Sequence, residues 1–132
     1  MRSLSVKSSC RKEFVSVTRE VASLVKAEGW DTGALLLFCP HTTAALTINE
    51  SADPDVARDM QGFMTKLVPA LPEFRHAEGN SDAHIQSSLF GPSLMLIVEK
   101  SELCLGAWQG IYFCEWDGPR TRKLWAQFLP GI

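Results

Sequence analysis

The chain has four cysteines, Cys10, Cys39, Cys104 and Cys114, but no two of them form a Cys-x-x-Cys pair. At 132 residues it needs no disulfide framework to hold a core, so its thiols are expected to be reduced, in a cytoplasmic, reducing setting. Cys39, Cys104 and Cys114 lie in apolar stretches, where a thiol serves as a small core residue. No glycine-rich loop of the P-loop or dinucleotide type is present. Ser81 and Ser87 lack the surroundings of a nucleophile elbow. Basic clustering is equally scarce: Arg120-Thr121-Arg122-Lys123 is the nearest approach, and the formal charge is −2. A nucleic-acid partner held by phosphate neutralisation is therefore not expected. No apolar run approaches the length of a bilayer span, and Arg2 is not followed by the apolar segment of a secretory leader.

What is present is ordinary globular material, 45% hydrophobic and 21% charged, enough for one domain over residues 1–132. Leu4 to Lys7 alternates weakly, as an edge strand would. Thr18 is placed as a helix N-cap, with Val21, Leu24 and Val25 as an apolar stripe and Gly29 as the stop. Ala34 to Cys39 is a continuous apolar run ended by Pro40 and suits a buried strand, and the segment after His41 favours another. Asp53-Pro54-Asp55 opens a second helix as cap, first-turn proline and dipole-matched carboxylate. Its expected buried face is Val56, Met60, Phe63, Met64 and Leu67.

Asp82 is the candidate cap of a short helix through Ile85 and Leu89, stopped by Gly91-Pro92. Leu94 to Val98 reads as a central strand, and Ile111 to Trp116 as another. Asp117-Gly118 is a hairpin signal, followed by a last strand over Thr121 to Phe128. The expected fold is α+β, a mostly antiparallel sheet or sandwich with two longer helices and one short one.

The segment that builds no core is His76-Ala77-Glu78-Gly79-Asn80-Ser81-Asp82-Ala83-His84. It holds two of the three histidines; the third, His41, stands at the mouth of a strand. Three imidazoles leaving a fourth position open are the ligand set of a catalytic zinc centre, although the spacing fits no standard zinc motif. Glu50, Glu78 and Asp82 are the carboxylates available to fix an imidazole tautomer or to move a proton. Asp82 is equally well explained as a cap, whereas Glu78 has no structural purpose in a helix-breaking loop.

Thr42 and Thr43 could give hydroxyls to an anion, or simply favour a strand. Trp108, between Gly106 and Gly110, could stack on a substrate ring or fill the sheet's edge. Arg120 could receive a phosphate or pair with Glu115 or Asp117. Asn80, Ser81 and Gln109 complete the candidate binding set.

Four segments resemble the YjbQ family: His41-Thr42-Thr43-Ala44, Asn49 to Val56, His76 to His84, and Gly106 to Arg120. They run in the family's order from about Thr18 to Arg120, most of the chain. The resemblance implies a compact α+β homotrimer, with a divalent metal, zinc by preference, on His41, His76 and His84. It also implies secondary thiamine-phosphate synthase activity, in which a pyrimidine diphosphate and a thiazole phosphate are joined and pyrophosphate leaves. Ala107, Trp116 and Ser51 depart from the usual threonine, phenylalanine and asparagine, which bears on pocket shape rather than on the proposed ligands.

Overall fold

A computed structural model describes all 132 residues. In chain order the elements are β1 (Arg2–Lys7), β2 (Glu13–Ser16), α1 (Thr18–Ala27), β3 (Gly33–Phe38), β4 (Ala44–Glu50) and α2 (Pro54–Leu67). They continue with α3 (Ser81–Phe90), β5 (Ser93–Glu99), β6 (Glu102–Leu103), β7 (Gln109–Glu115) and β8 (Thr121–Pro130). Every strand pairing is antiparallel. One sheet has five strands in the order β1-β8-β3-β5-β6 and the other three in the order β2-β7-β4.

The main core lies between the two sheets. Leu35, Leu37, Leu96, Val98, Leu124 and Ala126 of the larger sheet meet Ala44, Leu46, Ile111 and Phe113 of the smaller, and Val21 and Val25 of α1 close the side. A second cluster covers the smaller sheet's other face, where Ala45, Cys114 and Trp116 pack under Met64, Val68 and Ala83 of the α2–α3 layer. β7 is thus buried on both faces. That is why Ile111 to Cys114 carry no polar alternation, with Glu115 the one buried charge of the strand.

Several expectations need correction. Val17, not Thr18, occupies the α1 cap position, because the Thr18 hydroxyl oxygen accepts the Ile111 N–H at 2.8 Å instead. On α2 only Met64 is buried, while Phe63 and Leu67 stand 62% and 56% exposed. The helix rests on a narrow three-stranded sheet and needs only the Ala57–Met64 stripe, with Gln61 accepting the Phe14 N–H. The α3 cap position belongs to Asn80, and Asp82 lies one residue inside the first turn. Cys39 and Cys114 are buried as expected, but Cys104 is exposed. Asp117-Gly118 is not a hairpin turn: β7 and β8 lie in different sheets, so the segment is a crossover between layers. Gly118 is required there, since a Cβ would stand 2.5 Å from the Cys10 carbonyl oxygen.

β5 is an interior strand, as its composition suggests, but only one of its faces is covered. Met95 and Ile97 point outward, 63% and 67% exposed, in register with Leu36 and Ala34 of β3. Phe38, stacked on Trp125, and Leu129 extend this apolar outer face across the larger sheet. No helix of the chain is long and apolar enough to cross a membrane.

Candidate functional site

Two chain segments cross between the sheets at the same end of the sandwich. Cys39 to Thr43 joins β3 to β4, and Trp116 to Arg120 joins β7 to β8. The Trp116 N–H donates to the Thr43 carbonyl at 3.1 Å, which ties the two crossovers together. The His76–Asn80 loop, leading into α3, closes the third side. Between them lies an open cavity of about 430 Å³ lined by Pro40, His41, Thr42, Thr43, His76, Glu78, Asn80, His84, Arg120 and Arg122. None of these side chains is a large hydrophobic group. A cavity so lined favours an anionic, strongly hydrated guest over an apolar one.

The floor is a buried ion pair. Glu115 is fully buried and Arg122 is 3% exposed. Arg122 Nε donates to Glu115 Oε1 at 2.9 Å, and Nη2 donates to Glu115 Oε2 and to Thr43 Oγ1, the latter at 2.8 Å. The Ser8 hydroxyl donates to Glu115 Oε1 at 2.8 Å, and the Asp117 N–H donates to Oε2 at 3.1 Å. Burial alone would raise the Glu115 pKa; the bonds from Arg122, Ser8 and the Asp117 amide outweigh it and hold the pKa below its ordinary value. Arg120 takes the bland option open to it: its Nε donates to the Asp117 carbonyl at 2.9 Å and Nη2 to Asp117 Oδ2 at 3.2 Å. Asn80 Nδ2 donates to the same Oδ2 at 2.8 Å.

His41 accepts the Lys123 N–H at Nε2, at 2.9 Å, so in the neutral ring the proton sits on Nδ1. Burial, followed by the nearby Arg122 charge, lowers its pKa. His76 and His84 face each other edge to face, with ring centres 5.3 Å apart and planes at 85°. On a tetrahedral zinc ion with bonds of about 2.0–2.1 Å, two imidazole ring centres lie about 5 Å apart. The separation of the two rings is close to that spacing. His41 does not join them as placed, since its Nε2 is bound to the backbone, and nowhere do three His, Cys, Asp or Glu side chains converge on one point. His76 Nε2 also stands 3.9 Å from Glu78 Oε2.

Of the residues singled out from sequence, His41, Thr42, Thr43, His76, Glu78, Asn80, His84 and Arg120 share the cavity. Glu50, Trp108 and Gln109 do not, which corrects their assignment within one chain. Glu50 pairs with Gln109 at the far end of β4, six residues and about 20 Å along the strand from Ala44. Gln109 Oε1 accepts the Gly106 N–H at 2.7 Å, locking a turn, and Trp108 is 64% exposed with no aromatic partner. Ser81 opens α3 without lining the cavity.

Asp82 is turned away into a different network. Arg11 donates to both of its oxygens at 3.1 Å and Lys12 donates at 3.0 Å. Burial would raise its pKa, but the two cations bring it down to about 2. It is therefore a fixed anion and a poor proton carrier.

The residue the sequence reading passed over is Arg122. Its signal lies in the sequence: Glu115 is the lone charge in an apolar run, and a buried carboxylate requires a cationic partner.

The model of the family described as UPF0047 protein YjbQ-like matches residues 2–131. The chain is 48% identical over 130 residues to the UPF0047 protein YugU of Bacillus subtilis, covering 98% of each. It is 43% identical over 124 residues to the UPF0047 protein MJ1081 of Methanocaldococcus jannaschii, covering 94% of this chain and 90% of that one. A solved structure of a YjbQ/UPF0047 family protein from Clostridium acetobutylicum superposes with a TM-score of 0.94 at 46% identity, over 98% of this chain and all of that one. Family model, full-length relatives and solved fold agree, and the chain belongs to the YjbQ family.

Proposed function

We propose that the cavity binds a phosphorylated or diphosphorylated small molecule and that the protein is an enzyme acting on it. The observation that carries this reading is the lining itself: two arginines, three histidines, two threonines and an asparagine in one open cavity. Arg122, whose charge is balanced by Glu115, and the Thr42 and Thr43 hydroxyls would hold phosphate oxygens, while Glu78 would move a proton. A divalent ion, zinc by the preference of imidazole, would be held by His76 and His84 and would polarise a bound oxygen. His41 would join only by giving up the Lys123 amide.

The family resemblance makes thiamine-phosphate formation the reaction to test. There the carbon–oxygen bond to the diphosphate breaks, the thiazole nitrogen bonds to that carbon, and pyrophosphate leaves with both bonding electrons. Charge-bearing donors at the leaving group are what this step needs. The physiological substrate would be a molecule of the same class. We place the protein in the cytoplasm, in keeping with four free cysteines. We propose assembly as a homotrimer, supported by the apolar outer face of the larger sheet, which nothing in the chain covers.

The test is to mix hydroxymethylpyrimidine diphosphate and thiazole phosphate with the metal-loaded protein and look for product by mass spectrometry. Wild type should yield thiamine phosphate, and His84→Ala should lose both zinc, by elemental analysis, and turnover. A saturable complex with no product would favour the second reading, a non-catalytic metal- or metabolite-binding module, for which the same polar lining suffices.

A further inference from the structure

The cavity has two chemically different walls. The crossover side carries Thr42, Thr43, Arg120 and Arg122, whose hydroxyls and guanidiniums are donors suited to phosphate oxygens. Arg120 is 51% exposed, so it remains reachable from solvent even while it pairs with Asp117. The loop side carries Glu78, the only carboxylate in the lining. Glu78 is 76% exposed, and its one basic neighbour, His76 Nε2, stands 3.9 Å away, too far for a hydrogen bond. Its oxygens are acceptors open to a guest. A bare phosphate would satisfy the crossover side but set its own charge against this carboxylate. A phosphate joined to a hydroxylated carbon chain would suit both walls, bringing oxygens to the arginines and an O–H to Glu78. A flat heterocycle would need apolar or aromatic surface instead. The lining gives it only Pro40 and three imidazoles, two of which, His76 and His84, meet edge to face.

We propose that the guest of this cavity is a phosphate ester of a polyol or sugar, with its phosphate on the arginine side and a hydroxyl on Glu78. The proposal rests on the anion-binding reading above and narrows it, by assigning the part of the guest that bears no phosphate. The heteroaromatic rings of the thiamine precursors then lie outside what the cavity recognises, and only their phosphate groups are held. Trp108, the exposed indole that could have stacked on such a ring, does not line the cavity.

The experiment is calorimetric titration of the full chain with glycerol phosphate, propyl phosphate and phenyl phosphate at about pH 8, where each is a dianion. Glycerol phosphate and propyl phosphate share a three-carbon chain and differ by two hydroxyls. Glycerol phosphate should bind about tenfold or more tightly than either of the others, the equivalent of one hydrogen bond to a charged acceptor. In Glu78→Ala it should fall to the level of propyl phosphate, while propyl phosphate binds no more weakly than before. Glu78 lies on an exposed loop outside both cores, so the variant should fold, which its circular dichroism spectrum checks. Phenyl or propyl phosphate binding as tightly as glycerol phosphate would overturn the proposal and leave the anion site standing. Binding of none of the three would overturn both. A preference for glycerol phosphate that survives in Glu78→Ala would also overturn it, since the hydroxyl would then be read elsewhere.

Discussion

Glu115 and Arg122 share one buried ion pair that connects the core to the cavity. Arg122 is the only cation bonded to Glu115, so removing one partner leaves a buried charge without compensation. Arg122→Met should therefore cost about 3–5 kcal/mol of stability. The measure is urea denaturation, and the paired change Glu115→Leu with Arg122→Met should recover much of the loss while abolishing anion binding.

Asp82 predicts a pH dependence of definite sign. Its folded pKa, about 2, lies below the unfolded value, so its contribution is complete above about pH 5 and is lost as pH falls toward 2. The amount is roughly 2 kcal/mol at most, since Arg11 is half exposed to solvent. Asp82→Asn should lower stability at neutral pH and flatten the acid limb of the stability profile. An unchanged acid limb in that variant would show that the ion pairs with Arg11 and Lys12 contribute nothing.

Among the elements, the start of the second helix is the most legible, though not its buried face. Asp53, Pro54 and Asp55 fall in the cap and first turn as their chemistry demands, and Asp53 Oδ1 accepts the Asp55 N–H at 2.9 Å. Asp53→Ala should cost about 1 kcal/mol, read as a lowered thermal midpoint with anion binding intact. Gly91, at φ 98°, and Pro92 end α3 where the sequence places the stop. Less legible were the caps of α1 and α3. Thr18 and Asp82 have the right side chains for caps, but a β7 amide claims one and two N-terminal cations claim the other. Such partners arrive from 93 and 70 residues away in sequence, beyond the reach of any local rule.

Over the whole molecule, the unmatched feature is an apolar sheet face with no layer on it. Met95, Ile97, Phe38 and Leu129 together form a surface that monomers seldom leave to water. If this face carries the homotrimer, Met95→Lys with Ile97→Lys should release monomers that keep the native circular dichroism spectrum. Light scattering gives the mass directly, and a trimer persisting in that variant would place the contact elsewhere. Glu50, Trp108 and Gln109 lie about 20 Å along β4 from the cavity of their own chain.

The sequence by itself determined the α+β class, the three helices and most of the strands, β2 excepted, and most residues of the polar cavity. Those properties follow from local chemistry: side-chain period, caps, breakers, and a loop too polar to pack. Only the tertiary structure decided that β7 and β8 separate into different sheets, that Arg122 lies beneath the cavity, and that His41 is bound to a backbone amide rather than facing His76 and His84. Each of these depends on which distant segment satisfies a buried polar group, and that choice is made only when the layers close.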